Sequence, residues 1–214
     1  MDEEIAIIDT NTRNEKIKNF LVKNKFFLIS SLIIIIFLTI SYLSFEGYQK
    51  NKKVKISNMY NSTTVDFTLG NKFDAEKKLT EIIKKKDSTY SPLALYFLID
   101  NKIIKDKKKL NQLFDIIITE IKLETEIKNL LIYKKALFNS DLESENNLLK
   151  ILNPIINTES IWKPHALYLM AEYFYNKNEK QKAKEFFNKI LLLNNVNQDI
   201  QLKSKNRLNR DLSD

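Results

Sequence analysis

No cysteine occurs anywhere in the chain, so a disulfide framework, an iron–sulfur cluster and a thiol nucleophile are all excluded. Glycine and proline are nearly missing as well: Gly47, Gly70, Pro92, Pro154 and Pro164 are the only ones in 214 residues. Sheet proteins reverse direction through tight turns that consume these residues and Asn-Gly pairs. Their scarcity, beside long stretches of Lys, Glu, Leu and Ile, predicts an all-α fold of helices joined by short polar connections. Histidine is reduced to His165, which falls in the first turn of a predicted helix beside Pro164 and reads as a surface or groove residue rather than a catalyst. There is no Cys/His cluster with zinc-ligand spacing and no glycine-rich loop to cradle phosphates. Carboxylate pairs such as Glu124 with Glu126 and Glu143 with Glu145 lie among lysines and read as solvated surface. Catalysis needs groups of suitable pKa converging on one place. The sequence predicts no catalytic, cofactor-binding or metal-binding residue, and hence not an enzyme.

What the chain does contain is apolar residues, at 43%, and a formal charge of +8. That apolar content suffices for one domain of roughly 150–170 residues with a real core. The first 25 residues are neutral, Arg13, Lys16, Lys18, Lys23 and Lys25 balancing Asp2, Glu3, Glu4, Asp9 and Glu15, so all the excess charge comes later. Lysine runs at Lys84-Lys85-Lys86 and Lys107-Lys108-Lys109 are expected to end or link helices, because cations suit a helix C-terminus. Arginine, the residue most used for base and phosphate recognition, appears only as Arg13, Arg207 and Arg210, so nucleic acid is not an expected partner.

Phe26 to Phe45 is an uncharged run of twenty residues. As a helix it spans about 30 Å, the thickness of a bilayer's hydrocarbon core. Its few polar groups are hydroxyls able to bond to the helix's own carbonyls, and Tyr42 suits the interface. A polar tail precedes it and Leu43-Ser44-Phe45-Glu46 makes a poor cleavage site, so an uncleaved signal anchor is expected. Lys50, Lys52, Lys53 and Lys55 after the span suit anionic headgroups. Four cations on this side against five on the other decide orientation only slightly, in favour of a tail that stays inside. The organisation read from the sequence is a polar tail (1–25), an anchor (26–45), a basic linker (46–57), a helical domain (58–196) and a polar C-terminal helix or tail (197–214).

Within the domain, Pro92-Leu93-Ala94-Leu95-Tyr96 recurs as Pro164-His165-Ala166-Leu167-Tyr168, 72 residues on, or twice 36. Each proline can open a helix, with Ser91 and Ser160 just upstream as caps. Steps of 36 residues give four helix pairs: 55–70 with 73–86, 91–104 with 107–121, 124–139 with 144–156, and 162–176 with 179–194. Leu148, Leu149, Leu152, Ile155 and Ile156 form one apolar stripe, and Leu110, Leu113, Phe114, Ile117 and Ile121 another. In the last pair, Leu167, Met170, Ala171, Phe174, Ala183 and Phe187 follow the tetratricopeptide pattern of small residues at a close helix approach with aromatics beside them. Leu167 and Asn195 depart from it, standing where tryptophan and a closing proline are common. A helix pair cannot bury its face alone, so a tetratricopeptide-like stack of about four pairs is expected, with Ile200, Leu208 and Leu212 on a capping helix.

The chain resembles the bacterial family of the ancillary Sec-translocon subunit, whose domain is shared with cell-division-coordinator proteins. The resemblance rests on the acidic Asp2-Glu3-Glu4, the span Phe26–Phe45, the Tyr48-Gln49-Lys50 region and the turn from Leu69-Gly70 to Ala75. It implies an inner-membrane protein with an exported, periplasmic domain. Its expected partners are the translocon, periplasmic chaperones and unfolded exported clients, and the alternative is a scaffold for another envelope complex. In such stacks the first helix of each pair lines the concave face, which puts Tyr96, Asp100, Tyr168, Glu172 and Tyr175 there with His165 nearby. Those tyrosines either hold a client segment or pack between units, and the sequence leaves both open.

Overall fold

A computed structural model of the chain describes residues 14–194 and 196–212. Asp2, Glu3, Glu4, Asp9, Arg13 and Asn195 lie outside the described residues. Every regular element among those described is a helix. Residues 14–23 are helical, followed by α1 (Lys25–Thr68), α2 (Ala75–Lys84), α3 (Tyr90–Asp100), α4 (Lys107–Glu120), α5 (Thr125–Asn139), α6 (Glu145–Ile156), α7 (Lys163–Asn176), α8 (Lys180–Leu191) and α9 (Gln198–Arg210). The chain divides into two units, Met1–Lys55 and Ile56–Asp214.

In the first unit α1 carries the apolar run, and it is long and apolar enough to cross a membrane. Its side chains stand open, with Phe26 79% and Phe37 71% exposed. Three of its hydroxyls bond to the helix itself as expected: Ser30, Ser31 and Thr39 donate to the carbonyls of Phe27, Leu28 and Ile36 at 2.9, 3.0 and 2.8 Å.

The second unit holds two apolar clusters. One gathers Ile56, Leu79, Ile82, Ile83, Leu95, Leu98, Phe114 and Leu131. The other gathers Ile132, Leu152, Met170, Phe174, Phe187, Ile190, Ile200 and Leu212. Both expected stripes are there, since Leu110, Leu113, Phe114, Ile117 and Ile121 are buried, as are Leu148, Leu152 and Ile155. Ala171 and Ala183 are fully buried where α7 and α8 pack most extensively, flanked by Phe174 and Phe187. Burying large apolar side chains of this kind contributes roughly 1.5–3 kcal/mol each.

The other backbone pairings differ in part from the expected ones. In the first half α2 runs most extensively along α3, whereas the expected partners 91–104 and 107–121 approach over a shorter length. The reason is a seam of small residues: Ser91 and Ala94 of α3 are fully buried, and Ser91 Oγ lies 3.2 and 3.3 Å from the carbonyls of Ile82 and Ile83. Ser91 therefore satisfies the end of α2 instead of capping α3. Asp87 takes the capping role, accepting from the amides of Thr89 and Tyr90 at 2.9 and 2.8 Å. Ser160 does accept from the amide of Trp162 at 3.1 Å, at the entrance to α7.

One lysine run is placed contrary to expectation. Lys84 lies in the last turn of α2, where a cation is favourable, but Lys107, Lys108 and Lys109 form the first turn of α4. There they face the positive end of the helix dipole, an arrangement costing about 0.3–1 kcal/mol per charge at an exposed site. Asp106 offsets part of it as the N-cap, accepting from the amides of Lys108 and Lys109 at 2.8 and 3.2 Å.

Candidate protein-binding faces

The six residues expected on a binding face fall into three places. Tyr168, Glu172 and Tyr175 share one face of α7, and the structure brings them together around a residue the sequence did not single out. Arg207, from α9, engages Glu172 with two parallel hydrogen bonds, Nε to Oε1 and Nη2 to Oε2, each 2.9 Å. The same guanidinium lies 4.6 Å from the centre of the Tyr175 ring and donates to Asp211 at 2.8 Å. This fork-to-fork geometry is one that arginine provides and lysine does not. The Tyr168 ring meets Phe187 edge-on at 5.6 Å. Burial, helped by Glu172 beside it, pushes the Tyr168 phenol up to about 12, so it stays protonated at neutral pH. The hydrogen bonds of Asp211 and Glu172 hold the Arg207 charge even more firmly than usual. On α7 these side chains thus serve as the docking surface for the chain's own C-terminal helix.

Tyr96 and Asp100 lie on α3, where Tyr96 packs against the first apolar cluster. Lys134 of α5 places its ammonium 4.4 Å from the centre of the Tyr96 ring. The Tyr96 hydroxyl is enclosed and has no hydrogen-bond partner among the described residues. Burial first, then the negative charge of Asp100, pushes this phenol up to about 12. Asp100 itself is exposed. The pattern repeats that of α7: an aromatic ring on one helix is covered by a cation from a helix further along the chain.

His165 stands apart from both groups. Its ring lies 5.0 Å from that of Trp162 and 5.7 Å from that of Tyr133, and Tyr133 stacks on Trp162 at 6.0 Å. Burial lowers the pKa of His165, opposed in part by the nearby backbone of Ile161. Its Nδ1 and the Trp162 Nε1 are enclosed and have no partner among the described residues. Tyr133 and Trp162 were missed at the sequence level; the signal available was the single tryptophan at the start of α7.

Among the described residues no three His, Asp or Glu side chains gather closely enough to hold a metal ion. Several ion pairs join separate segments: Lys182, already paired with Glu179 at the start of its own helix, reaches Glu145 of α6 at 2.8 Å, Lys135 reaches Asp115 at 2.6 Å, and Lys86 reaches Glu120. Asn111 and Asn139 add a reciprocal amide pair between α4 and α5, at 2.9 and 2.7 Å. Compared with family models, curated proteins and solved structures, the chain matches none of them.

Proposed function

We propose that the protein is a single-pass membrane anchor carrying a tetratricopeptide-like stack that binds other proteins without chemistry. In this reading the domain is exported, and the protein works as an ancillary component of the translocon, passing exported chains to periplasmic chaperones. The observation that carries the stacked-repeat part is a burial pattern that returns in register. Pro92, Ala94, Leu95 and Leu98 are buried, and so are Pro164, Ala166, Leu167 and Met170, each 72 residues on. Ala75, Leu79 and Ile82 are buried, and so are Ala183, Phe187 and Ile190, 108 residues on. Both separations are multiples of 36, the spacing that a stack of repeated helix pairs would give. Stacks of this kind present extended faces rather than catalytic clefts, and the export role rests on the resemblance of the span and its flanks.

The absence of cysteine makes topology directly measurable. Single cysteines at Asn14, Ser140 and Asn178 would be labelled in intact cells with a membrane-impermeant maleimide, the outer membrane opened where one exists. Labelling at Ser140 and Asn178 but not at Asn14 is expected. Labelling at Asn14 alone would put the domain in the cytosol and overturn the export reading. A photo-crosslinker at the exposed Asp100 is then expected to capture proteins of the export channel or chaperones. Adducts with components of another envelope assembly would favour the scaffold role instead.

A further inference from the structure

Six lysines separated along the chain come together at one cleft. The turn after α1, the helix α2 and the loop between α3 and α4 enclose about 1140 Å³, lined by Lys72, Lys77, Lys84, Lys102, Lys105 and Lys109. Asp74, Glu76 and Glu81 also line it, leaving an excess of three positive charges. Two of those carboxylates are already engaged, Glu76 by Lys109 and Glu81 by Lys85 at 2.9 Å. Lys77, Lys84, Lys102 and Lys105 are exposed and make no ion pair among the described residues. Of the lysines that open α4, only Lys109 lines the cleft, and its charge is taken up by Glu76.

The cleft also has an apolar side. Phe67 and Phe73 line it, Phe73 standing 81% exposed at the lip, and Phe67 is held edge-on to Phe97 at 5.4 Å. The chain reverses at its rims through left-handed residues, Gly70 at φ 97°, Asp74 at φ 57° and Lys102 at φ 51°. At the second rim the amide of Ile103 donates to the carbonyl of Leu98 at 2.9 Å, closing the end of α3. Thr80, 9% exposed, also lines the cleft, and its hydroxyl is without a partner among the described residues.

We propose that this cleft docks an acidic, extended segment of a partner protein. Carboxylates of that segment are held by Lys77, Lys84, Lys102 and Lys105, while an apolar side chain packs on Phe67 and Phe73. Two features favour a peptide over a phosphate-rich ligand. Three carboxylates share the lining and would repel closely spaced phosphates. The volume exceeds the roughly 300–1,000 Å³ usual for small-molecule pockets, and the lining mixes charge with aromatic surface. This inference rests on the reading of the domain as a protein-binding module, and it places the contact away from the α7 face that α9 already covers.

The test uses the full chain in neutral phosphatidylcholine nanodiscs and a fluorescein-labelled peptide of glutamates interspersed with leucine and one phenylalanine. Anisotropy is expected to report binding that weakens as salt screens the charges. A triple variant, Lys77→Glu, Lys84→Glu and Lys102→Glu, is expected to lose at least about tenfold in affinity. Lys150→Glu, on the surface elsewhere, should leave binding unchanged. The milder pair Lys102→Gln and Lys105→Gln, with helicity checked by circular dichroism, repeats the test should the triple variant fold poorly. Absence of binding, equal binding by a peptide with glutamine for glutamate, or equal binding by the folded lysine variants overturns the proposal. So does a cleft that ignores the peptide but binds phosphatidylglycerol vesicles through the same lysines. If the peptide fails while Asp100 still cross-links to proteins in cells, the cleft assignment falls and the protein-binding reading stands.

Discussion

Removing the Arg207 guanidinium should loosen the C-terminal helix by an amount that a double-mutant cycle can read. Its pair with Glu172 is bidentate, and the two side chains are only 28% and 20% exposed. Hydrogen bonds to charged groups contribute roughly 1.5–3 kcal/mol, whereas exposed ion pairs contribute roughly 0–1. Partial exposure places this pair between, at a coupling of about 1–2 kcal/mol. Arg207→Ala also loses the contact with Tyr175, worth about 0.5–1 kcal/mol, so the single variant should be destabilised by about 1.5–3 kcal/mol. For a domain of this size that lowers Tm by about 3–12 °C. Trp162 is the only tryptophan and stacks on Tyr133, so its fluorescence follows unfolding of the domain in urea with the full chain held in micelles. Arg207→Ala, Glu172→Ala and the double variant complete the cycle. A coupling below about 0.3 kcal/mol would mean that the fork is a surface decoration, and the view of α7 as the seat of α9 would fail.

Phe187→Ala should be far costlier, about 3–5 kcal/mol, because the ring is fully buried between α7 and α8, and thermal unfolding measures it directly. The pH dependence of stability should carry a component from His165. Burial lowers its folded pKa below 6.5, so the unfolded chain binds the proton more readily. Stability from this group is complete above pH 6.5 and falls as pH drops from there towards the folded value; His165→Gln should flatten that part of the profile in urea titrations at several pH values.

Much of the fold was legible because apolar spacing and burial are local matters. The range 124–139 reappears as Thr125–Asn139 and 162–176 as Lys163–Asn176, and the Ala171/Ala183 approach follows from residue size alone. What the sequence did not disclose depends on chain segments meeting. Arg207 reaches Glu172 across 35 positions and Lys134 covers Tyr96 across 38, and no periodicity announces either contact. Hence Tyr168, Glu172 and Tyr175 share one face of a helix as their spacing implied, and the C-terminal helix was expected as a cap, but its seat on that face through Arg207 was not. Lys84 stood out only as part of a run ending a helix and Lys105 not at all; their convergence follows from the close packing of α2 along α3, which brings the loop after α3 beside α2.

On α5, adjacent residues serve different cores: Leu131 belongs to the first apolar cluster and Ile132 to the second, with Ile118 of α4 touching both. A wall shared in this way sets the grain of the molecule's fluctuations. Because each cluster keeps its own face of the partition, one is expected to open while the other stays enclosed. Hydrogen exchange should therefore separate into two cooperative blocks meeting at α5, the amides of that helix exchanging last. A domain divided in this way would yield at one block without coming apart as a whole.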